Sequence, residues 1–346
     1  MKEVSTIGID LAKSVFQVHG VDAAGTVVIK RQLKRKDVLA FFAKLPPCLI
    51  GMEARGTAHY WARELTKLGH TVKLMPPNYV KAHLKRGKTD AADAEAICEA
   101  VSRPSMRQVP VKTVAQQSLL VLHRTRDMLI GQRTQMINAM RGHMAEFGLV
   151  APVGPEGAKE LAAIVLDPTD TRLSDIARTG LGTLVAQLAG LGQQIAGLDR
   201  TILAAHKASE TSTRLETIPT VGVLIATAVT ATVADASVFK SGRAFSAWLG
   251  LTPRINGTGG KVTLGSITKQ GDGYPRRLLV IGATAVLGHA KRHPDKHPWA
   301  AALLGRLAFK QAAVALANKT ARIIWALMVH GGTYAANHRP AAVAAA

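Results

Sequence analysis

The sequence VSTIGID at residues 4–10 is an apolar run, rich in β-branched residues, whose last residue is an aspartate. Two more short runs follow, VFQVH at residues 15–19 and TVVIKRQL at residues 26–33. Runs of this length, bounded by turn residues, are typical of β-strands. The connections between them are only a few residues long, which predicts an antiparallel meander of three strands.

Helices and strands alternate after the meander. The predicted order is a helix at residues 37–44, a strand at 49–52, a helix at 57–68, a strand at 71–75 and a helix at 90–101. The order βββαβαβα predicts an α/β fold of the RNase H or RuvC type, in which helices pack on the faces of a mixed sheet. We assign this domain to residues 1–104, because prolines at 104 and 110 mark its exit.

The next region is predicted to be helical. Apolar residues at helical spacing predict one long helix at residues 113–147 and a second at about 181–208. The two helices could pair as a hairpin within the chain or across subunits. We assign residues 105–212 to this long α-helical, coiled-coil-like linker region.

Residues 213–332 are predicted to form a mainly α C-terminal domain. Its first residues, LETIPTVGVLIA at 215–226, read as helix, Pro-x-x-Gly turn and helix, which is the pattern of a helix-hairpin-helix. Glycines and basic residues dominate residues 254–277, and a helix is predicted again at 298–329. Residues 333–346 are expected to be a flexible tail.

The charge balance points to a polyanionic partner. The 346 residues contain 44 Lys and Arg against 23 Asp and Glu, a formal net charge of +21. Such an excess favours nucleic acid, whose phosphates the cations neutralise with release of counterions. The alternative is a generic basic surface. With 47% hydrophobic residues the chain can fill real cores, which excludes a disordered basic tail.

Cysteine content and apolar segments favour a cytoplasmic protein. Cys48 and Cys98 are the only cysteines and lie far apart, which excludes a CxxC zinc knuckle and argues against a disulfide scaffold. The first residues enter a predicted strand at once, so no signal peptide is expected. The apolar segments at 221–234 and 278–287 are too short to span a bilayer, so no membrane partner is expected.

Four carboxylates stand where predicted strands end or a helix begins. Asp10 ends the first strand and Glu53 ends the fourth, and these strands are neighbours in an RNase H-like sheet. Asp90 and Asp93 are three residues apart on one predicted helix that Thr89 caps, so they share a face. That face continues with apolar residues and should pack on the sheet. The four carboxylates are therefore predicted to converge.

Converging carboxylates predict a metal centre. They repel one another, and a divalent cation with a preference for oxygen ligands removes that repulsion. Mg²⁺, with Mn²⁺ as a substitute, also binds a scissile phosphate, and two such ions stabilise both the attacking and the leaving oxygen. The alternative for Asp90 and Asp93 is that they are ordinary N-terminal helix acids favoured by the helix dipole.

Several motifs resemble those of the DEDD-type transposases of insertion-sequence family one-hundred-ten. The resemblance covers nearly the whole chain, and KTDAADAEAI is its most specific stretch. The motifs are GIDLAK at 8–13, MEARGT at 52–57, GKTDAADAEAICEAV at 87–101, AFSAWLGLTPR at 244–254, GTGGK at 257–261 and GSITKQGDGYPRRLL at 265–279.

The resemblance implies a RuvC-like N-terminal domain joined by helices to a family-specific C-terminal domain. The family's acidic ligands fall on Asp10, Glu53, Asp90 and Asp93. Its members excise and insert their element, guided by a non-coding bridge RNA that pairs with donor and target DNA. Because two DNA sites must be joined, a homo-oligomer is expected, a dimer that becomes a tetramer on synapsis, with a composite active site as a further hypothesis.

The family also attacks DNA with a C-terminal serine, and this chain departs from that pattern. The matching position is Thr258, whose extra methyl group crowds an in-line approach. Flanking glycines ease the crowding, and Arg254 or Lys261 can stabilise developing charge. The alternatives are that Ser266 is the nucleophile or that no protein nucleophile exists.

Basic residues near these motifs and on the first long helix are predicted to bind nucleic acid. Few aromatic residues, 4%, predict that phosphate contacts outnumber base stacking. The predicted set is Lys85, Arg86, Lys88, Arg124, Arg133, Arg141, Arg254, Lys261, Lys269, Arg276 and Arg277.

Three functions remain compatible with the sequence. The first is a transposase or DNA recombinase that moves an insertion sequence by metal-dependent phosphodiester transesterification. The second is a RuvC-like, structure-specific endonuclease that hydrolyses DNA junctions with the same carboxylates and water. The third is an inactive basic nucleic-acid-binding protein, for which four clustered negative charges would serve no purpose.

Overall fold

The computed structural model describes residues 3–83 and 89–335. The chain divides into two compact units, Met1–Thr113 and Val114–Ala346. Lys85, Arg86 and Lys88, predicted to bind nucleic acid, lie outside the described residues, as do residues 336–346 of the predicted tail.

The first unit is an α/β unit built on a sheet of five strands. Its order is β3-β2-β1-β4-β5, with β1, β2 and β3 antiparallel and β4 and β5 parallel to β1. The predicted meander and the pairing of the first strand with the fourth are confirmed. The elements are β1 Thr6–Leu11, β2 Val15–Val21, β3 Val27–Lys34, α1 Val38–Phe42, β4 Leu49–Glu53, α2 Ala58–Lys67, β5 Thr71–Met75, α3 Pro77–Val80 and α4 Asp90–Val101.

Each face of this sheet is covered by different elements. Ile7, Ile9, Ile50 and Met52 are fully buried in a core shared with α1 and α2. Residues alternate between faces along a strand, so Gly8 and Asp10 of β1 lie on the other face. That second face carries α4, which contacts β1, β2 and β4.

The second unit is mostly helical. Its elements are α5 Val114–Ala145, α6 Pro155–Leu166, α7 Asp175–Lys207, α8 Glu210–Glu216, α9 Val223–Thr232, α10 Gly242–Trp248, β6 Pro253–Thr258, β7 Lys261–Ile267, α11 Gly273–Arg292, α12 Pro298–Leu304 and α13 Phe309–His330. The prediction of a single helix at 298–329 is wrong, because residues 305–308 divide this stretch into the two helices α12 and α13.

The two long helices pair with each other inside the chain. Met144 near the end of α5 packs with Leu181 near the start of α7, and Leu129 packs with Leu191 further along. This pairing makes α5 and α7 an antiparallel hairpin, with the short helix α6 between them in sequence. The hairpin within one chain, one of the two arrangements predicted from the sequence, is present.

The described residues contain one helix long and apolar enough to cross a membrane by length and composition, Phe309–His330. Ala313, Ala317 and Ile324 of this helix are buried in the hydrophobic core of the second unit. A core helix satisfies the same length and composition test, and this packing gives the apolar residues a partner within the unit.

Candidate metal centre and nucleophile hairpin

Asp10 and Glu53 lie on adjacent parallel strands. Ile9 pairs with Met52 in the register of β1 and β4, so Asp10 and Glu53 are neighbours at the carboxyl ends of these strands. Alternation along each strand places Asp10 on the same face as Gly8, and Glu53 on the same face as Gly51. The two carboxylates therefore belong to the face that α4 covers.

Two glycines let α4 lie directly on the strands. A Cβ on Gly8 would stand 2.2 Å from the carbonyl oxygen of Ala94 and 2.3 Å from the backbone nitrogen of Cys98. A Cβ on Gly51 would stand 2.7 Å from the Cβ of Val101. Only glycine fits at either position while the helix keeps this distance. The close contact brings the first turn of α4 to the strand end that carries Asp10.

The first turn of α4 is fixed by its N-cap. Thr89 Oγ1 accepts a hydrogen bond from the backbone nitrogen of Ala92 at 3.2 Å, and the Thr89 carbonyl accepts one from the nitrogen of Asp93 at 3.0 Å. The predicted helix start is confirmed. Because Asp90 and Asp93 fall in this first turn, the positive end of the helix dipole partly offsets their charge.

Asp10, Asp90 and Asp93 form a three-carboxylate cluster. One carboxylate oxygen from each lies within 4.8 Å of the other two. Burial raises the pKa of Asp10 above its usual range, and the charges of Asp93 and Asp90 raise it further. Oxygens bound to one Mg²⁺ lie about 2.9 to 4.2 Å apart. The spacing and the mutual repulsion both fit a divalent cation.

Glu53 lies beside this cluster and turns its carboxylate to an arginine. Its Oε2 is 2.5 Å from Nε of Arg55. Burial raises the pKa of Glu53, Arg55 lowers it, and the charges of Asp10 and Asp93 raise it again. Glu53 is therefore close enough for electrostatic repulsion by Asp10 and Asp93, but it is not one of the three residues whose carboxylate oxygens converge. The Arg55 side chain is 66% exposed, so the ion pair can open toward solvent.

The predicted nucleophile lies on a β-hairpin. β6 and β7 pair antiparallel, and Thr258 stands opposite Lys261 at the tip. The two residues of the turn, Gly259 and Gly260, have φ of 56° and 80°, a left-handed conformation that glycine adopts without strain. Arg254 and Lys261 are exposed. Ser266, the alternative nucleophile, is an exposed residue of β7.

The base of the hairpin is tightly anchored. Gly250 has φ of 73°, and a Cβ there would stand 2.4 Å from the backbone nitrogen of Gln270. Arg276 donates hydrogen bonds to the carbonyls of Leu249 at 3.1 Å and Gln270 at 2.8 Å. These contacts clamp the segment after β7 against the end of α10. The hairpin tip is therefore presented from a fixed base.

Several of the predicted nucleic-acid-binding residues hold partners within the chain. Arg276 donates to the carbonyls just described, and Arg141 donates to the carbonyls of Ala151 at 3.0 Å, Pro152 at 2.6 Å and Gly154 at 3.2 Å. Arg277 forms an ion pair with Asp127, and Arg124 approaches Asp272 at 3.9 Å. Arg133 is half-buried, whereas Arg254, Lys261 and Lys269 are exposed. Their roles toward nucleic acid stay predictions.

Comparison with known proteins identifies relatives along almost the entire length. Residues 7–148 match the family model of the DEDD-type IS110 transposases, described as "Transposase", and residues 212–298 match that of the "Transposase IS116/IS110/IS902 family". A Pseudomonas aeruginosa protein named "Probable family 20 transposase" is 48% identical over 94% of this chain and 97% of its own.

Two relatives named after their mobile elements agree. The transposase for insertion sequence element IS1111A of Coxiella burnetii is 39% identical over 96% of this chain and 92% of its own. The transposase for insertion sequence element IS1328 of Yersinia enterocolitica is 37% identical over 96% and 99%, respectively. The chain therefore belongs to the IS110 family of transposases, which is insertion-sequence family one-hundred-ten.

Proposed function

We propose that this protein cuts and rejoins DNA to move an insertion sequence, with Asp10, Asp90 and Asp93 as the core of a metal-dependent active site. The convergence of these three carboxylates in a chain of net charge +21 is the observation that carries the proposal. A fold of the RNase H or RuvC type is part of it, and the strand order β3-β2-β1-β4-β5 supports that assignment. The expected setting is the prokaryotic cytoplasm, on DNA.

Glu53 is proposed as the fourth ligand. The charges of Asp10 and Asp93 repel its carboxylate, and a cation bound between the aspartates would compete with Arg55 for that carboxylate. Rotation away from Arg55 would complete the set of four. Mg²⁺, or Mn²⁺ in its place, would supply Lewis-acid stabilisation of a scissile phosphate at these oxygens.

Thr258 is proposed as the nucleophile in a transesterification. Its Oγ forms a bond to the scissile phosphorus, the bond from phosphorus to the leaving DNA oxygen breaks, and the threonine proton passes to a base or water. The leaving oxygen takes up a proton and becomes a DNA hydroxyl. In the second step a DNA hydroxyl attacks the threonine–phosphate linkage, which rejoins DNA and restores Thr258.

A denaturing gel tests this chemistry against hydrolysis. Labelled DNA, incubated with Mg²⁺ and with the protein and its copurified RNA, should give an adduct that survives SDS, and Thr258→Ala should abolish the adduct while Ser266→Ala retains it. Thr258→Ser, which removes the crowding methyl group, should retain or increase it. Clean cleavage without an adduct would favour a junction-resolving endonuclease, and no cleavage with any divalent metal would favour an inactive binding protein.

The partners proposed are donor and target DNA, a bridge RNA and further copies of the chain. Sequencing of RNA that copurifies with the protein tests the guide, and a discrete species transcribed beside the gene is expected. The oligomer is proposed to be a dimer that becomes a tetramer on synapsis, with the carboxylates of one subunit serving Thr258 of another. Mixed dimers of Asp10→Ala and Thr258→Ala subunits should regain part of the activity if the site is composite, and stay inactive if it is not.

A further inference from the structure

Two adjoining cavities lie along the edge strand β3 and the helices α1 and α2. The first, of about 540 Å³, is lined by Arg35, Lys36, Leu39, Tyr60 and Trp61. The second, of about 690 Å³, shares Lys36 and extends past Arg31, Phe41 and Lys44. We call the two together the β3 groove. None of these residues belongs to the nucleic-acid-binding set predicted from the sequence.

The groove is strongly cationic, and its cations have no acidic partner among the described residues. Arg31, Lys34, Arg35, Lys36 and Lys44 line it with one acid, Asp37. None of these six residues takes part in an ion pair within the described part of the chain. No carboxylate of the described residues therefore neutralises these cations in the way that Asp127 neutralises Arg277, and their positive charge is available to an anionic ligand.

Aromatic side chains accompany these cations. The Arg35 guanidinium lies 5.2 Å from the centre of the Trp61 ring and 5.9 Å from that of the Phe16 ring, and its Nη1 donates to the Lys13 carbonyl at 3.5 Å, so the side chain is held in place. Tyr60 is 44% exposed and meets Trp61 edge to face at 5.2 Å. Trp61 is 3% exposed, and its indole nitrogen is a buried donor without a hydrogen-bond partner among the described residues. An exposed ring beside a fixed guanidinium is a platform on which a nucleobase can stack.

The groove lies at the same end of the sheet as the carboxylates. Lys34 at the end of β3 pairs with Val15 at the start of β2, and the Arg35 nitrogen donates to the Ser14 carbonyl at 2.9 Å. Phe16 of β2 pairs with Leu11, which directly follows Asp10. β3 is two strand positions from β1, or about 10 Å at the usual spacing between strands. The groove opens on the face of the sheet that α1 and α2 cover, and the carboxylates lie on the face that α4 covers, so a nucleic-acid strand bound at Asp10 would pass around this end of the sheet to reach the groove.

We propose that the β3 groove binds single-stranded nucleic acid, with an unpaired base stacked on Tyr60 and phosphates on the surrounding lysines and arginines. A base inside a duplex cannot present its face to Tyr60, so the aromatic platform selects unpaired strands. The placement of the groove beside a scissile phosphate rests on the proposed function, whereas binding in the groove does not. The groove is a positioning surface for the strand and takes no part in bond cleavage.

Fluorescence anisotropy of the full-length chain tests the proposal. The probes are a labelled 20-nucleotide DNA strand, the same sequence as RNA, and the DNA duplex. Tyr60→Ala should weaken binding of single strands about 5- to 100-fold and leave duplex binding within about twofold. Tyr60→Phe, which keeps the ring, should restore single-strand binding. The double variant Lys36→Ala/Lys44→Ala should lower the salt dependence of single-strand binding by about 1.4 in slope.

Matched controls separate this surface from general basic charge. Lys67→Ala/Arg103→Ala removes two exposed cations of the same unit that are paired with Glu64 and Glu99, and should change single-strand binding by less than twofold. Asp10→Asn should abolish cleavage and keep binding in the groove, so failure of the proposed function is distinguishable from failure of this one. Whichever of the DNA and RNA strands binds more tightly identifies the natural source of the ligand.

Three results would overturn the proposal. One is unchanged single-strand binding in Tyr60→Ala and in the lysine double variant. Another is an equal loss for single strands and duplex in Tyr60→Ala at unchanged melting temperature, which would assign Tyr60 a structural role. The third is displacement of the strand by polyglutamate at equal charge concentration, which would assign the groove to an acidic protein partner.

Discussion

Replacement of Asp10 by asparagine should make the metal-free protein more stable and remove its response to divalent cations. The substitution keeps the shape of the side chain and deletes its charge. In the folded state that charge faces Asp90 and Asp93 and is partly buried, and both effects raise the pKa of Asp10. The unfolded chain has neither effect. The wild-type protein therefore carries a repulsion at neutral pH that Asp10→Asn lacks.

The size of this repulsion follows from the distance between the carboxylates. Two unit charges 4.8 Å apart interact with about 3.5 kcal/mol at an effective dielectric constant of 20 and about 0.9 kcal/mol in water. Asp90 is exposed and Asp10 half-buried, so solvent screening brings each pair toward the lower figure. For the two pairs together we expect Asp10→Asn to raise the free energy of unfolding of the metal-free protein by about 1–2 kcal/mol.

Chemical denaturation in EDTA and in Mg²⁺ or Mn²⁺ measures both effects. A cation at 100 times its dissociation constant stabilises the wild-type protein by about 2.7 kcal/mol. The free energy of unfolding of Asp10→Asn should be higher than that of the wild type in EDTA, and metal should raise it by less than about 0.5 kcal/mol. Glu64→Gln, at an exposed ion pair with Lys67, is the matched control and should keep the full metal response. A destabilised Asp10→Asn variant, together with a wild-type protein whose stability does not change with metal, would show that the three aspartates form no cation site.

Three further outcomes are expected. Gly8→Ala should destabilise the protein by about 3 kcal/mol and abolish the metal response although all four carboxylates are intact, because the new Cβ would lie 2.2 Å from the backbone of α4. Gly56→Ala, which has open space around its Cβ, should have neither effect, and chemical denaturation in EDTA and in metal compares the two variants. Without metal, the excess free energy of unfolding of Asp10→Asn over the wild type should shrink as the pH falls, because the raised pKa of Asp10 means that the folded state favours the protonated carboxyl group. An excess that grew toward acid pH would contradict the direction of this pKa shift. Arg55→Ala, which frees the Glu53 carboxylate, should bind Mn²⁺ several-fold more tightly by calorimetry, whereas weaker binding would show that Arg55 supports the site.

The first unit was predictable because its signals are local. Short β-branched runs marked the strands, Thr89 marked the start of α4, and strand ends marked the neighbouring positions of Asp10 and Glu53. The role of Gly8 and Gly51 was not predictable from spacing alone. It depends on how closely a helix from another part of the chain approaches, which only the folded structure fixes.

The hairpin of β6 and β7 was missed although its signal is present. Gly259 and Gly260 separate residues that alternate between apolar and polar, such as Ile255 and Leu264, and two glycines between such runs favour a two-residue hairpin. The abundance of glycine and basic residues obscured that pattern.

Partners of individual charges could not be predicted from the sequence. The turn of Glu53 toward Arg55 and the internal hydrogen bonds of Arg141 and Arg276 depend on side-chain geometry that no spacing encodes. For the same reason the predicted basic set omitted the β3 groove, whose cations lack acidic partners among the described residues.

Anomalous diffraction from crystals soaked in Mn²⁺ would show whether the three aspartates bind a divalent cation. We expect a peak between the carboxylates of Asp10, Asp90 and Asp93, with Glu53 rotated from Arg55 toward the ion. A soaked crystal with no peak among these three aspartates, or with Mn²⁺ bound only elsewhere on the chain, would contradict a metal centre at this end of the sheet.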